Sequence, residues 1–367
     1  MSRRRTTVLA TVSILSLGCE PEGSVPSPQA VALRENPENL LNVQTVLEPD
    51  LTEETDWYTG ATMMRWDPLT KILFVADAVN QTLVSMGVDG RLVTTFDIAR
   101  GRGPGEIENI EDIALGPGFV AVLDRPLGRL LVYSRAGALD GSFSLPAAYH
   151  DFTVAGDSTL YMAPGTGGHA FDRFTLAGDQ LPGIGRFDSL PEPCITNRCA
   201  SERSHCIGCR LSVLNDSTLL VANLEEAILA TFDRRTGGLL VTVDLKSRVP
   251  VLGDWVAEDQ SLIEAANERH AARGERAVSF KSYLLSVHPV PGNGQSLIAA
   301  VAPSIVRFRE TKRYELWIIT LGDLTVRRLR FDRPYIGILA AGDGDVAFGV
   351  HSRSTAIFRA DIPPSSN

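Results

Sequence analysis

Two neighbouring segments of the chain repeat one pattern of short apolar runs and polar turns. In Val75–Phe96 and in Val122–Gly137, an apolar run ends in an aspartate, Asp77 or Asp124, and a polar turn, a second apolar run and a glycine turn follow. Short runs divided by such turns are typical of consecutive β-hairpins. A recurrence of about 45 residues with four strands in each unit is the pattern of propeller blades.

These segments resemble the NHL-type repeat of six-bladed β-propellers, whose units run from apolar-Ala-Asp through a turn with Asn to Arg, apolar residues and Asp-Gly. The run Gly101-Arg-Gly-Pro-Gly-Glu106 is similar to a connection of related bacterial six-bladed propellers. A phosphate-binding loop is disfavoured because Pro104 lies inside the run and no Lys-Ser/Thr follows it. The resemblance implies an all-β, six-bladed propeller.

The apolar runs predict complete blades except at the C-terminal end, where only three strands follow Tyr335. We expect Leu41–Leu47 to supply the missing strand, because such a splice closes the ring without an exposed sheet edge. Two insertions interrupt the repeat. Leu190–Cys209 is a Cys-rich loop, and Trp255–Arg276 has the apolar spacing of a surface helix.

The first residues of the chain predict a signal peptide over 1–18, because Arg3-Arg4-Arg5 precedes an apolar stretch that is too short to span a bilayer. Ser16-Leu17-Gly18-Cys19 resembles a bacterial lipoprotein cleavage box, which implies that Cys19 is acylated and becomes the first mature residue. An ordinary secretory signal is the alternative. Glu20 is not the Asp that, by this resemblance, favours the inner membrane, so an outer-membrane lipoprotein of the cell envelope is expected.

The mature chain is expected to divide into a Pro/Ser-rich flexible tether over residues 19–38 and a propeller domain over 39–363. The formal net charge of −9 disfavours nucleic acid as a partner, since that binding depends on clustered Lys and Arg. The expected partners are the membrane, through acylated Cys19, and a protein, peptide or glycan ligand.

Four of the five cysteines occur in the first insertion, with the spacing C-x4-C-x6-C-x2-C. In a reducing compartment this spacing would indicate a zinc site. The export signal favours two disulfides instead, because thiols in an oxidising periplasm pair. The pairing among the four stays open; they are Cys194, Cys199, Cys206 and Cys209.

No nucleophile elbow of the form Gly-x-Ser-x-Gly occurs in the chain. Some related six-bladed propellers are enzymes that hold zinc or calcium on their innermost strands. By that resemblance, His150, His288 and Asp112 would be the ligands of a Ca or Zn ion in a metal-dependent lyase or hydrolase. Glu111 is adjacent to Asp112, so the two side chains would point to opposite faces of a strand.

The recurring Asp77 and Asp124 are interpreted as structural caps of hairpin turns, because a carboxylate there accepts backbone N–H groups. The leading hypothesis is therefore a binding or scaffolding module that needs no cofactor. A binding face would use exposed aromatic and Arg side chains on blade loops, which the scaffold holds in place. The residues expected there are Tyr58, Arg102, Arg125, Tyr149 and Tyr335.

Overall fold

The computed structural model describes residues 33–34, 40–47, 63–149, 151–191, 209–273, 283–303, 314–331, 336–343, 346–351 and 356–362. Two strands precede the blades, β1 (Leu33–Arg34) and β2 (Leu40–Leu47). The remaining strands form six blades, as the sequence predicted, and each blade is a four-stranded antiparallel sheet.

The six blades follow one another in chain order. Blade 1 contains β3 (Met63–Asp67), β4 (Ile72–Asp77), β5 (Thr82–Gly87) and β6 (Leu92–Thr95), and a short connection follows with β7 (Ala99–Arg100) and β8 (Glu106–Ile107). Blade 2 contains β9 (Asp112–Gly116), β10 (Phe119–Asp124), β11 (Arg129–Ser134) and β12 (Leu139–Ser144). Blade 3 contains β13 (Asp151–Val154), β14 (Leu160–Ala163), β15 (Phe171–Phe174) and β16 (Gln180–Ile184). Blade 4 contains β17 (Cys209–Asn215), β18 (Thr218–Asn223), β19 (Ile228–Asp233) and β20 (Leu239–Asp244), followed by α1 (Leu245–Arg248) and α2 (Pro250–Ala272). Blade 5 contains β21 (Leu284–Pro289), β22 (Ser296–Val301), β23 (Glu315–Thr320) and β24 (Thr325–Phe331), and blade 6 contains β25 (Ile336–Ala341), β26 (Val346–His351) and β27 (Ile357–Asp361).

The ring closes through its N-terminal strand. β2 pairs antiparallel with β27 and becomes the fourth strand of blade 6. Its first residues, Leu40 and Leu41, also pair parallel with β24 of blade 5. The first strands of successive blades contact one another around the ring, and β25 contacts β3. The predicted splice is thus confirmed, and it covers the edge that β27 would otherwise expose.

The core lies between the blades, because both faces of each central strand are buried. In β4, Phe74 and Ala76 pack towards blade 2, whereas Leu73 and Val75 pack towards blade 6. A strand buried on both faces has a nearly continuous apolar sequence. This explains why the central strands appear in the sequence as uninterrupted runs, while an outermost strand such as β12 is exposed and mixes apolar with polar residues.

The glycine-rich run Gly101–Glu106 forms the connection between blades 1 and 2. The side chain of Glu106 folds back so that Oε2 accepts a hydrogen bond from the N–H of Gly103, at 2.6 Å. A Cβ at Gly101, whose φ is +146°, would lie 2.1 Å from that oxygen. Arg129 donates to the carbonyl oxygens of Gly103 and Glu106. The run is therefore a fixed structural connection.

Two predicted boundaries differ from the structure. β1 lies inside the segment 19–38 that the sequence assigned to a flexible tether, and it pairs with β24 through Leu33 and Arg34. The predicted surface helix begins earlier, at Pro250, and its Trp255 is fully buried against blades 4 and 5. Proline is favoured in the first turn of a helix, which explains the earlier start.

Candidate functional site

The first strands of all six blades line a cavity of about 300 Å³ in the centre of the ring. Its wall combines polar groups with a comparable share of apolar surface, to which the partly buried Trp66, Val213 and Leu285 belong. Two cations interrupt this wall, Arg65 on β3 and Arg210 on β17. A concave apolar site with a few convergent polar groups is the usual form of a ligand-binding pocket.

Arg65 is fixed from behind by a buried carboxylate. Its Nη2 lies 2.7 Å from Oδ1 of Asp112, and its Nη1 donates to the carbonyl oxygen of Met64 at 2.9 Å. Asp112, the first residue of β9, is completely buried, whereas 26% of the Arg65 side chain remains accessible. The ion pair therefore fixes one side of the guanidinium group, and the accessible part of the Arg65 side chain faces the cavity.

Arg210 lies between two aspartates. Its Nη1 is 3.9 Å from Oδ2 of Asp112 and 3.9 Å from Oδ2 of Asp151, the first residue of β13. Asp151 is also buried, and it accepts hydrogen bonds from the backbone N–H groups of Phe152 and Leu211, each at 2.8 Å. Burial lowers the pKa of Arg210, but Asp151 and Asp112 outweigh that effect and raise it.

The pKa values of the two aspartates are shifted in opposite directions. Burial raises the pKa of Asp112, but Arg65, a hydrogen bond from Asp151 and Arg210 together hold it below its usual range. Burial and the neighbouring charge of Asp112 raise the pKa of Asp151 well above its usual range. Two adjacent buried carboxyl groups ionise together only at a large cost, which favours a shared proton.

The metal ligands expected from the sequence are only partly brought together. His288 lines the cavity and Asp112 lies behind the lining Arg65, whereas His150 lies outside the described residues. No group of three or more His, Cys, Asp or Glu with metal-binding geometry occurs among the residues that the structure describes. The guanidinium groups of Arg65 and Arg210 already face the Asp112 carboxylate, so this donor set does not fit a cation.

The loop residues expected to form a binding face are dispersed. Arg102 is exposed and pairs with Glu108 at 2.9 Å, and Arg125 pairs with Glu111 at 3.6 Å. Tyr149 was expected on this exposed face, but it is 1% exposed and packs between blades 2 and 3. Its hydroxyl donates to Asp172, which explains why this aromatic ring is buried. The other two residues, Tyr58 and Tyr335, lie outside the described residues.

The hairpin aspartates have the structural role that the sequence predicted. Asp77 Oδ1 accepts hydrogen bonds from the backbone N–H groups of Val79 and Asn80. Asp124 accepts from the N–H groups of Leu127 and Glu108. Both carboxylates thus close turns of their blades.

The acidic pair that the sequence singled out, Glu111-Asp112, does not act as a pair. Glu111 precedes β9 and pairs with Arg125, whereas Asp112 combines with Asp151, Arg65 and Arg210. Sequence reasoning missed the last three residues. One signal was present: Asp112 and Asp151 each begin the innermost strand of a blade and each precede an apolar residue.

The cysteine-rich insertion has one cysteine within the described residues, Cys209 at the start of β17. The other three cysteines, Cys194, Cys199 and Cys206, lie outside the described residues, so the two disulfides stay a prediction. No helix within the described ranges is long and apolar enough to cross a membrane.

Solved structures share the fold of this chain at low sequence identity. A protein from Bacteroides fragilis NCTC 9343, named as an exported protein, matches with a TM-score of 0.54 and 10% identity over 90% of this chain and 99% of that chain. Virginiamycin B lyase from Staphylococcus aureus with quinupristin matches with a TM-score of 0.48 and 11% identity over 88% of this chain and 100% of that chain. No protein-family model and no curated protein matches. At such identity the likeness to the first protein shows a common fold alone, and assignment to the NHL-repeat type stays a prediction.

Proposed function

We propose that this protein is a binding module of the cell envelope and that it binds a small molecule in the central channel of its propeller. The observation that supports this proposal is the cavity of about 300 Å³, whose wall combines apolar surface with two arginines. Its volume is at the lower end of the range for small-molecule pockets. The ring scaffold fixes every lining strand, which favours binding because little ordering is needed.

A channel-filling substitution tests the proposal. Ser212 lines the cavity on the innermost strand of blade 4, and Val241, half exposed, lies on the outermost strand of the same blade. Compounds found by thermal-shift screening of the wild type should stabilise Val241→Phe equally and lose their effect on Ser212→Phe. Circular dichroism checks that both variants are folded. Compounds that still stabilise Ser212→Phe would place binding outside the channel and contradict the proposal.

We further propose that acylated Cys19 anchors the propeller to the outer membrane. The support is the Ser16-Leu17-Gly18-Cys19 sequence after a basic and apolar N-terminus. Acyl chains supply the membrane affinity of such proteins. Cys19→Ala should therefore abolish acyl labelling and release the protein into the soluble fraction; a variant that still sediments with membranes at high salt would refute the anchor.

Disulfide bonding of the insertion belongs to the same proposal, since export places the chain in an oxidising compartment. The support is the C-x4-C-x6-C-x2-C spacing in a chain with an export signal. Mass measurement after alkylation, with and without reduction, tests the prediction. Two disulfides leave one free cysteine among the five, Cys19, which acylation would occupy.

The enzymatic alternative, a lyase or hydrolase with calcium or zinc in the channel, makes a separate prediction. The purified protein would hold one tightly bound ion, measurable by elemental analysis. A stoichiometric ion that is lost in His288→Ala would replace the binding proposal. The charge arrangement around Asp112 favours the binding proposal, because two arginines repel a cation from that carboxylate.

A further inference from the structure

The channel cluster has more positive than negative charge. Arg65 and Arg210 are both ionised, since guanidinium groups stay protonated in proteins. They face Asp112 and Asp151, both at least 98% buried. If both acids were ionised, the four groups would balance to zero.

The hydrogen bonding of Asp112 supports a proton shared by the two acids. Oδ2 of Asp112 accepts no hydrogen bond from any N–H or O–H donor that the described chain carries, although it is completely buried. A buried oxygen without a donor is costly. A proton retained by the neighbouring Asp151 supplies the missing donor, which agrees with the raised pKa of that residue. Arg65, Arg210 and Asp112 then leave one unbalanced positive charge.

The neighbouring groups do not cancel this charge. Glu111 acts on Arg210 but is paired with Arg125, so this pair adds no net charge. His288 on β21 lines the cavity, and its imidazole can add positive charge but no negative charge. The accessible parts of Arg65 and Arg210, 26% and 40% of their side chains, remain as donors towards the cavity.

We propose that the channel binds a small organic monocarboxylate with an apolar body, and that Arg65 and Arg210 bind its carboxylate group; this inference rests on the proposed channel-binding function. Guanidinium groups bind carboxylates through paired charge-assisted hydrogen bonds. The single excess charge matches a monoanion. The apolar body contacts the partly accessible apolar residues of the wall, which include Trp66, Val213 and Leu285.

The buried aspartates act through the arginines. Asp112 orients the guanidinium of Arg65 through the 2.7 Å contact, and the protonated Asp151 keeps the local charge positive. A fully ionised pair of aspartates would neutralise both arginines and remove the electrostatic attraction for the ligand. The two acids therefore position and tune the site without contacting the ligand.

Matched probes test the inference on the full mature protein by calorimetric titration. The probes are benzoate, hexanoate and cyclohexanecarboxylate, the three corresponding amides, and cyclohexyl phosphate. At least one carboxylate should bind and its amide should bind about tenfold or more weakly, because the amide forms no charge-assisted pair. Arg210→Met should weaken carboxylate binding by a similar factor, and Arg210→Lys should have an intermediate effect. Arg186→Met is the matched control, since Arg186 is exposed, pairs with Asp188 and does not line the cavity, and it should leave binding unchanged.

Each remaining outcome overturns the inference. Amides that bind as tightly as the acids, a phosphate that binds more tightly than its carboxylate, or undiminished affinity in Arg210→Met would contradict the role of the arginines. Failure of all three carboxylates would do the same. Neutral compounds whose effect is abolished by Ser212→Phe would then leave the channel-binding function standing, whereas compounds insensitive to that substitution would remove both proposals.

Discussion

Two regions of this propeller bury aspartates for different purposes. The hairpin turns contain Asp77 and Asp124, and Asp112 and Asp151 lie behind the channel wall; all four are at most 2% exposed. All four carboxylates accept hydrogen bonds from backbone N–H groups. The channel carboxylates face arginines from other blades and each other. Equal burial therefore does not distinguish a structural carboxylate from one that sets the charge of a site.

Loss of both channel carboxylates should have the largest effect. The double variant Asp112→Asn/Asp151→Asn leaves Arg65 and Arg210 without a counter-charge, and we expect it to lower the free energy of unfolding by about 3 kcal/mol. In Asp112→Asn alone, Asp151 can ionise and replace the lost charge, so the cost should be clearly smaller. Urea unfolding at neutral pH measures both. A single variant as unstable as the double one would show that the aspartates do not share a proton.

Loss of a hairpin carboxylate should cost less, because Arg129, the cation beside Asp124, keeps the carbonyl oxygens of Gly103 and Glu106 as partners. Asp124→Ala removes an acceptor for two backbone N–H groups and the partner of Arg129 Nε at 3.4 Å. We expect a loss of about 2 kcal/mol in the free energy of unfolding and no change in carboxylate binding in the channel. Altered binding in this variant would break the separation between the two regions.

The pH dependence of stability distinguishes the regions further. The folded state keeps a proton on Asp151 that the unfolded chain releases. The stability that this proton contributes is complete below the pKa of Asp151 in the unfolded chain, and it is lost as the pH rises through the pKa of Asp151 in the folded state. Between these two values, stability should fall by about 1.4 kcal/mol per pH unit, and Asp151→Asn should remove that slope. Unfolding measured from pH 5 to pH 8 compares the two proteins. Parallel profiles would place the proton elsewhere.

Conversion of a hairpin aspartate to asparagine should have the smallest effect. Blade 4 already has Asn223 at the position that Asp77 occupies in blade 1, and its Oδ1 accepts from the N–H of Glu226. Asp77→Asn keeps an oxygen acceptor, so we expect a change within about 0.5 kcal/mol. Asp77→Ala, which removes the acceptor, should cost about 1 kcal/mol. Equal losses in the two variants would show that the charge rather than the acceptor stabilises the turn.

Much of the fold was predictable because it depends on local sequence. Apolar runs between turns located the strands, and the missing fourth strand of blade 6 indicated that Leu41–Leu47 closes the ring, as β2 does. The turn roles of Asp77 and Asp124 were predictable for the same reason, since their partners include residues two or three positions away. β1 was missed because two residues that pair with a distant strand leave no periodic pattern.

Of the four charged residues in the channel site, the sequence singled out only Asp112, and it predicted a metal ligand there. Its partner Arg65 is 47 residues away, and the nearest donors to Asp151 include a backbone group 60 residues away. The sequence offered Asp112 as a metal ligand because a carboxylate is a common donor. It could not reveal the two guanidinium groups that make the same carboxylate unsuitable for a cation.

The sequence by itself determined the strands, the turns, the blade order and the closing strand, because hydrophobic periodicity and turn chemistry act over a few residues. Only the tertiary structure decided which side chains meet in the channel. Arg65, Asp112, Asp151 and Arg210 come from four different blades, and only closure of the ring brings them together. The charge and the protonation of a buried group depend on its neighbours in space, so the chemistry of this site belongs to the fold rather than to any one segment of the chain.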